Sequence, residues 1–401
     1  MKTPPFPTAI VVLSLAFSLP APGKDPAEPT NESLVWTGKN GVTVRGRVIR
    51  RSGDTVFIER DGNEVPLSIN GMDETSALQA RELTDSGDSP RAVNPLKPVS
   101  IQMQPIVASR IPVGFMREQR LGNFQKKHQS GGFQMGSPAD QPGREDTETE
   151  HAVWLKRDLL LKASEVTWEE WNAVRDRAAS RGYTDLSPGT NGQGGDPNGN
   201  HPVLGITWWD AIKWCNVLSE IEKKDPVYYK NESFKPEDVL MIGTPKPFVN
   251  WEANGYRLPT EAEWEFACSP GTSRNAFHTG QIDKDLKPED RTLGRAGWYD
   301  GNSSKSTHPV GGKEANNFGL HDMHGNAAEW CWDFFSKLSP AEAIDPRGPD
   351  AGEQRVIRGG SWSDPAKHCR AAYRGSRHPS AMPNPFVGFR PAMNLPTVEK
   401  R

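Results

Sequence analysis

The chain has 401 residues, enough for more than one domain, because a single core rarely keeps growing beyond ~250–300 residues. Its 48 basic and 51 acidic residues leave a net charge of −3, which offers no long-range field to a phosphate backbone and argues against nucleic acid as a partner. Gly (38) and Pro (35) are abundant and Trp (13) outnumbers Tyr (6), which suits a loop-rich fold pinned by aromatic anchors and excludes a helix bundle.

Residues 1–23 carry one lysine, the apolar run Ala9 to Leu19 and the small-residue stretch Pro20-Ala21-Pro22-Gly23, the pattern of a secretory signal peptide. A poorly ordered apolar tail is the alternative. The run is too short to span a bilayer and no other segment is apolar enough to do so, so the mature protein is expected to be secreted or periplasmic. In an oxidising compartment Cys215, Cys268, Cys331 and Cys369 could form two disulfides in any of three pairings.

Next comes a small β unit. Val42, Val44 and Val48 alternate with polar residues, Thr55 to Glu59 alternates again, and Asp61-Gly62 is a strong two-residue hairpin turn. Val65, Leu67 and Ile69 supply a further strand, and Asp73 to Leu83 reads as a short closing helix. Residues 34–83, which open with Trp36-Thr37-Gly38-Lys39-Asn40-Gly41, resemble the small SH3-like barrel of the Sla-homology type, which implies a peptide-binding module. A spacer without a ligand is the alternative. Residues 84–120 have scattered apolar positions without a period, and predict a linker or a strand-rich lead-in.

The main domain is predicted over residues 121–395. Phe133-Gln134-Met135-Gly136 reads as a strand entering a turn, and Ala152 to Leu155 as an alternating strand. Thr167 with Glu170 forms a capping box ahead of a helix that should bury Trp168 and Trp171. Thr207 can cap a second helix, Trp208 to Glu220, with Ala211, Ile212, Cys215, Val217 and Leu218 among its core contacts. Pro259, Thr260 and Glu263 predict a third helix start, with Trp264 and Ala267 facing inward. This last phrase builds a helix and places nothing for chemistry.

The stretch Gly319-Leu320-His321-Asp322-Met323-His324-Gly325-Asn326-Ala327-Ala328-Glu329-Trp330 bends sharply, since Gly and Asn accept positive φ. Its carboxylates Asp322 and Glu329, with inward carbonyls, make the oxygen-rich set that Ca²⁺ prefers. A zinc site on His321 and His324, or a plain turn whose carboxylates cap nearby amides, are the competing readings. Trp330, Trp332, Phe334 and Phe335 follow, an aromatic run expected to be buried.

GLHDMHGN and EW, with HPVLGITWWDA, NGYRLPTEAEWEFA, GWYDGNSSKSTHPVGG, RVIRGGSW and GFR, together resemble the sulfatase-modifying-factor family, also called the formylglycine-generating enzyme family. They stand in the family order across most of Gly122 to Pro391. The resemblance implies an α+β fold, a much-elaborated C-type-lectin-like domain with two central helices, small twisted sheets and much loop. It also implies a calcium site at the Asp322 and Glu329 side chains and the Gly325 and Ala327 carbonyls.

In this family two cysteine thiolates, a few residues after a Gly-Gly-Ser word, hold Cu(I), which activates O₂ to convert a sulfatase cysteine into formylglycine. Gly359-Gly360-Ser361 is present and the second cysteine position is Cys369, but the first is Asp364, a hard carboxylate that cannot replace a soft thiolate. The family's active-site Trp is Ala328 and the Asn before the last Gly-Phe-Arg is Phe386. Ser361 and Cys369 are the retained catalytic candidates. Arg370, Arg374 and Arg390 also remain, with a structural role as partners of loop carboxylates as the competing reading. Two functions stay open: a formylglycine-generating oxidase acting on exported sulfatases, with Ca²⁺ and Cu⁺ as family cofactors, or a non-catalytic protein that binds polypeptides or glycans.

Overall fold

The computed structural model describes residues 34–37, 43–52, 55–60, 63–68, 99, 101–107, 132–195, 198–269, 275–381 and 384–395, in two compact units, residues 1–98 and 99–401. The signal-peptide segment and the expected helix over Asp73 to Leu83 lie outside the described residues.

The first unit holds β1 (Leu34–Thr37), β2 (Thr43–Ser52), β3 (Thr55–Arg60) and β4 (Asn63–Ser68), paired antiparallel in that order. Arg60 lies opposite Asn63, so Asp61-Gly62 forms the expected two-residue turn. Val56 and Leu67 face each other across β3 and β4 and are buried. The pairing is that of an open meander: among the described strands β4 does not return to β1, so a closed SH3-like barrel is not supported.

The second unit begins at residue 99, inside the stretch read as a linker or lead-in. Its first strand, β5 (Met103–Ile106), pairs with β8 (Leu159–Lys162), and Ile106 is fully buried. The apolar positions of that stretch lack a visible period because a four-residue strand is too short to display one. Between them come β6 (Gly132–Met135) and β7 (His151–Trp154), an antiparallel pair.

Helix α1 (Trp168–Arg175) starts at the Thr167–Glu170 capping box, and Trp171 is fully buried while Trp168 is half-buried. Short strands β9 (Thr190–Asn191) and β10 (Val203–Leu204) pair before α2 (Trp208–Ile221), which Thr207 caps with Asp210. Each box satisfies amides that would otherwise be left open at a helix start, worth about 0.5–2 kcal/mol. Trp171 and Trp214 stack at 6.2 Å, and Phe389 meets both rings edge-on at 6.1 and 5.2 Å. Helix α2 is buried nearly all round, including Asn216, whose amide bonds the backbone of Val227, Tyr228 and Leu240. The expected contacts at Ala211, Ile212, Cys215, Val217 and Leu218 are all fully buried.

Strands β11 (Tyr228–Tyr229) and β12 (Phe248–Val249) form a small pair. Helix α3 (Glu261–Cys268) follows, capped by Thr260 and Glu263, with Trp264 and Ala267 fully buried as its pattern predicts; α4 (Arg291–Ala296) is short.

The sheet that carries the site runs β16 (Gly375–Arg377), β15 (Arg355–Arg358), β13 (Ala328–Phe334), β17 (Val387–Gly388), with β13 and β17 parallel. Two further strands, β14 (Ala343–Ile344) against β7 and β18 (Ala392–Asn394) against β8, close the small sheets. Trp330 is fully buried, whereas Trp332, Phe334 and Phe335 are only half-buried. Trp332 and Phe334 line an open groove where the β13–β15 register shifts after Trp330, and Trp332 also packs against the core. No helix among the described residues is long and apolar enough to cross a membrane.

Candidate functional site

Beyond β15 the chain turns at Gly359 and Gly360, both at positive φ (+88° and +69°). The second glycine is required by contact as well as by conformation: a Cβ on Gly360 would lie 2.7 Å from the His368 carbonyl oxygen and 2.8 Å from the Cys369 sulfur. The turn thus presses its backbone against Cys369 and delivers Ser361 to the edge of a cleft of about 200 Å³. That cleft is lined by Ala328, Ile357, Asp364, Tyr373, Arg377 and Phe386, among others.

Asp364 is tied into this turn. Its Oδ2 accepts from the Ser361 amide at 2.9 Å and from the Ser361 hydroxyl at 2.6 Å, and its Oδ1 lies 3.5 Å from His368 Nδ1. Burial pushes its carboxyl up, but the bonds from His368 and Ser361 outweigh burial and hold it below the usual range. A carboxylate so stabilised is a weak base, so Ser361 is held in place and not activated as a nucleophile.

Cys369 is fully buried among Ala276, Phe277, Tyr299 and Ala366, and is not part of the cleft lining. Burial, with the Asp364 charge second, pushes its thiol well above the usual range. The residues present do not fit a Cu(I) centre: the first ligand position is a carboxylate engaged with Ser361, and the second is a protonated thiol behind the Gly360 backbone. Phe386 and Trp362 pack at 5.5 Å along one wall, beside the space that Ala328 leaves.

The neighbouring arginines are structural. Arg370 forks onto Glu148 at 2.7 and 2.6 Å, and Arg374 onto Glu261 at 2.6 and 2.7 Å. Arg358 pairs with Glu265. Helix α3 therefore supplies counter-charges as well as packing, which its capping pattern did not reveal.

The bend over residues 319–330 differs from its expected role. Arg390 donates to both carboxylate oxygens of Glu329 at 2.6–2.9 Å, and Trp264 Nε1 adds a fourth bond at 2.7 Å. With its oxygens so engaged, the Glu329 side chain does not fit the calcium set expected with Asp322, Gly325 and Ala327. Among the described residues no three His, Cys, Asp or Glu side chains converge as a metal-holding group. Asp322 instead accepts from the Gly311 amide at 2.6 Å and faces Glu165, whose Oε1 accepts from the Ala327 amide at 3.2 Å. Burial raises both of these carboxyls, Glu165 well above its ordinary value, and the remaining oxygens, Asp322 Oδ1 and Glu165 Oε2, have no donor of their own. Burial thus favours a proton on this pair. Sequence reading missed Glu165 because 157 residues separate it from Asp322.

The two histidines of the competing zinc reading have separate partners: the His321 ring contacts the Lys313 carbonyl, the His324 ring the Cys369 carbonyl. All four cysteines are free and buried, so neither disulfide forms.

Comparison with known proteins bears on this geometry. The sulfatase-modifying factor enzyme 1-like domain family matches residues 127–395. The chain is 34% identical over 230 residues to the chaperone protein LppX of Paenibacillus barcinonensis, which covers 54% of this chain and 74% of that protein. It is 30% identical over 213 residues to the formylglycine-generating enzyme of Bos taurus, covering 50% of this chain and 46% of that enzyme, less than half its length. Among solved structures, Treponema denticola variable protein 1 is similar with a TM-score of 0.55 and 28% identity, over 73% of this chain and 95% of that one.

Proposed function

This chain belongs to the sulfatase-modifying factor enzyme 1-like family, whose α+β formylglycine-generating-enzyme fold it adopts, and we propose that it is a non-catalytic member that binds polypeptide in the cleft beside Ser361. One observation carries this reading. Asp364 stands where a thiolate is needed and is held by Ser361, while Cys369 is sealed behind Gly360. A site with one protonated thiol and one hydrogen-bonded carboxylate has no way to bind a soft ion linearly.

What is left in the cleft suits binding. Phe386, Tyr373 and Ile357 give apolar contact, and Arg377, Ser363 and Ser376 give polar contact along its rim. The name of the LppX relative, a chaperone protein, supports handling of polypeptides, and LppX is matched over most of its length. On the signal-peptide reading of residues 1–23 the partner is met outside the cytoplasm, where exported sulfatases are one candidate class. Oxidation of a sulfatase cysteine, the activity named for the bovine relative, is the second reading, and it rests on relatives of which the chain covers less than half.

The test is direct. Reduced full-length protein is titrated with Cu(I), and a Cys-x-Pro-x-Arg peptide is incubated with it, copper and O₂. We expect no tight copper binding, no mass change in the peptide, and shifts of Tyr373 and Phe386 resonances on peptide addition. Asp364→Cys should raise Cu(I) affinity at least tenfold if Cys369 can reach it. Conversion of the peptide by the wild type, lost in Cys369→Ser, would overturn the proposal.

A further inference from the structure

Six arginines are buried among the described residues: Arg257, Arg355, Arg358, Arg370, Arg374 and Arg390. Five have a carboxylate, from Glu263, Glu265, Glu148, Glu261 and Glu329 respectively for the members other than Arg355. Arg355 has none. It is 3% exposed, bonds only the Trp332 carbonyl, leaves its Nε without a partner, and lies 3.9 Å from the Trp208 ring and 3.5 Å from the Phe334 ring. The fold thus supplies a counter-ion to every buried guanidinium but this one, and a buried unpaired charge is costly.

Arg355 opens onto a groove of about 920 Å³ that is separate from the Ser361 cleft. Ring planes line that groove: Trp209, Phe248, Trp251, Trp332 and Phe334. Its exposed rim carries the acids Glu232, Asp350 and Glu353 and the cations Lys246 and Arg347. Asp333, on the strand beside Arg355, forms no ion pair with it: burial, then the Glu261 charge, pushes its carboxyl up to about 8, which leaves only a small part of its charge to act on Arg355 at neutral pH. Burial lowers Arg355 itself to about 9, still charged there.

We propose that this groove binds an acidic oligosaccharide, whose carboxylate pairs with Arg355, whose sugar faces lie on the tryptophan rings, and whose hydroxyls donate to the rim carboxylates. The two signs of charge in the groove select this chemistry. An aspartate-rich peptide would answer the cations but brings few donors for the three rim acids, whereas a polyhydroxylated acid offers acceptors to the cations and hydroxyl donors to the acids. Flat aromatic walls accept the C–H faces of pyranose rings. The volume takes a ligand of a few sugar units, at the upper end of ordinary ligand sites.

The experiment is calorimetric titration of the full chain with trigalacturonate, its methyl ester, and an aspartate-rich peptide of similar charge. We expect the acid sugar to bind, the ester to bind at least tenfold more weakly, and the peptide to show no saturable heat. Trp209→Ala should weaken both sugars, and Arg355→Gln should erase the difference between acid and ester. Where Arg355→Gln fails to fold, Trp209→Ala and the wild-type acid-to-ester ratio decide. Equal affinity for acid and ester, no binding of the acid at millimolar concentration, or binding of the peptide alone would each overturn the proposal.

Discussion

The Ser361 cleft and the Arg355 groove sit on the same pair of strands and treat charge in opposite ways. Phe334 lies opposite Arg355, Trp330 opposite Ile357, and Ala328 follows, so one face of β13 and β15 passes from groove to core to cleft. In the cleft the charged group is spoken for: Asp364 accepts two bonds from Ser361. In the groove the charged group has only a carbonyl. The first is a place where a reactive centre has been replaced by a closed hydrogen-bond loop. The second is a cation kept available, at a cost the rest of the fold avoids by pairing its other buried arginines.

The sharpest way to break this comparison is to delete charges on either side of it. Glu329→Ala leaves Arg390 buried beside an empty place, and the loss should be about 3–5 kcal/mol, the usual result of removing one partner of a buried pair. Arg355→Met keeps most of the volume between Trp208 and Phe334 while removing an unpaired charge, so it should cost under about 1 kcal/mol or even stabilise. Urea unfolding of the two variants checks both. Equal, large losses would mean that Arg355 is already neutralised within the fold and the groove holds no available cation.

A smaller effect is expected from the turn that seals Cys369. Gly360→Ala combines a positive φ with a Cβ under 3 Å from the His368 carbonyl oxygen and the Cys369 sulfur. Strain of this kind costs about 1–3 kcal/mol, and part of it can be relieved by pushing Cys369 away from its buried seat. Thiol labelling of the folded variant should therefore be faster than that of the wild type. Unchanged labelling and stability would show that the turn does not close the cleft floor.

How much of this was legible in the sequence depends on how far apart the partners lie. All three capping boxes join residues three apart, so Thr167, Thr207 and Thr260 announced their helices directly. The Gly-Gly-Ser word located the cleft, and the swap of a thiolate for Asp364 could be read by position alone. What Asp364 does instead, bonding Ser361, is also local, but its neighbours gave no sign of it. The pairing of Glu329 with Arg390 could not be read because the two are 61 residues apart, and the same distance problem hid the ion pairs of Arg370 and Arg374, 222 and 113 residues from theirs. Trp332 and Phe334 look like core in any composition count. Only the fold shows that they also line an open groove.

The smallest expected effect, and the one that separates a proton from a cation in the bend, concerns Glu165. Burial, with the Asp322 charge second, holds its folded-state pKa well above the ordinary carboxyl range near 4, and Asp322 is raised as well, again first by burial. The unfolded chain therefore releases its protons at lower pH than the folded protein does. From about pH 4 upward the folded state binds more protons than the unfolded one, so stability contributed by this pair is full below that pH and declines as pH rises toward the folded value. Glu165→Gln removes the titration while keeping an oxygen for the Ala327 amide and giving Asp322 Oδ1 an N–H donor. The variant should lose less stability than the wild type between pH 5 and pH 8, and its melting temperature should be higher at pH 8 by a few degrees. A chelator should leave both curves in place. A wild-type melting temperature that rises with pH, or falls on chelation at pH 8, would mean that a cation and not a shared proton joins Glu165 to Asp322.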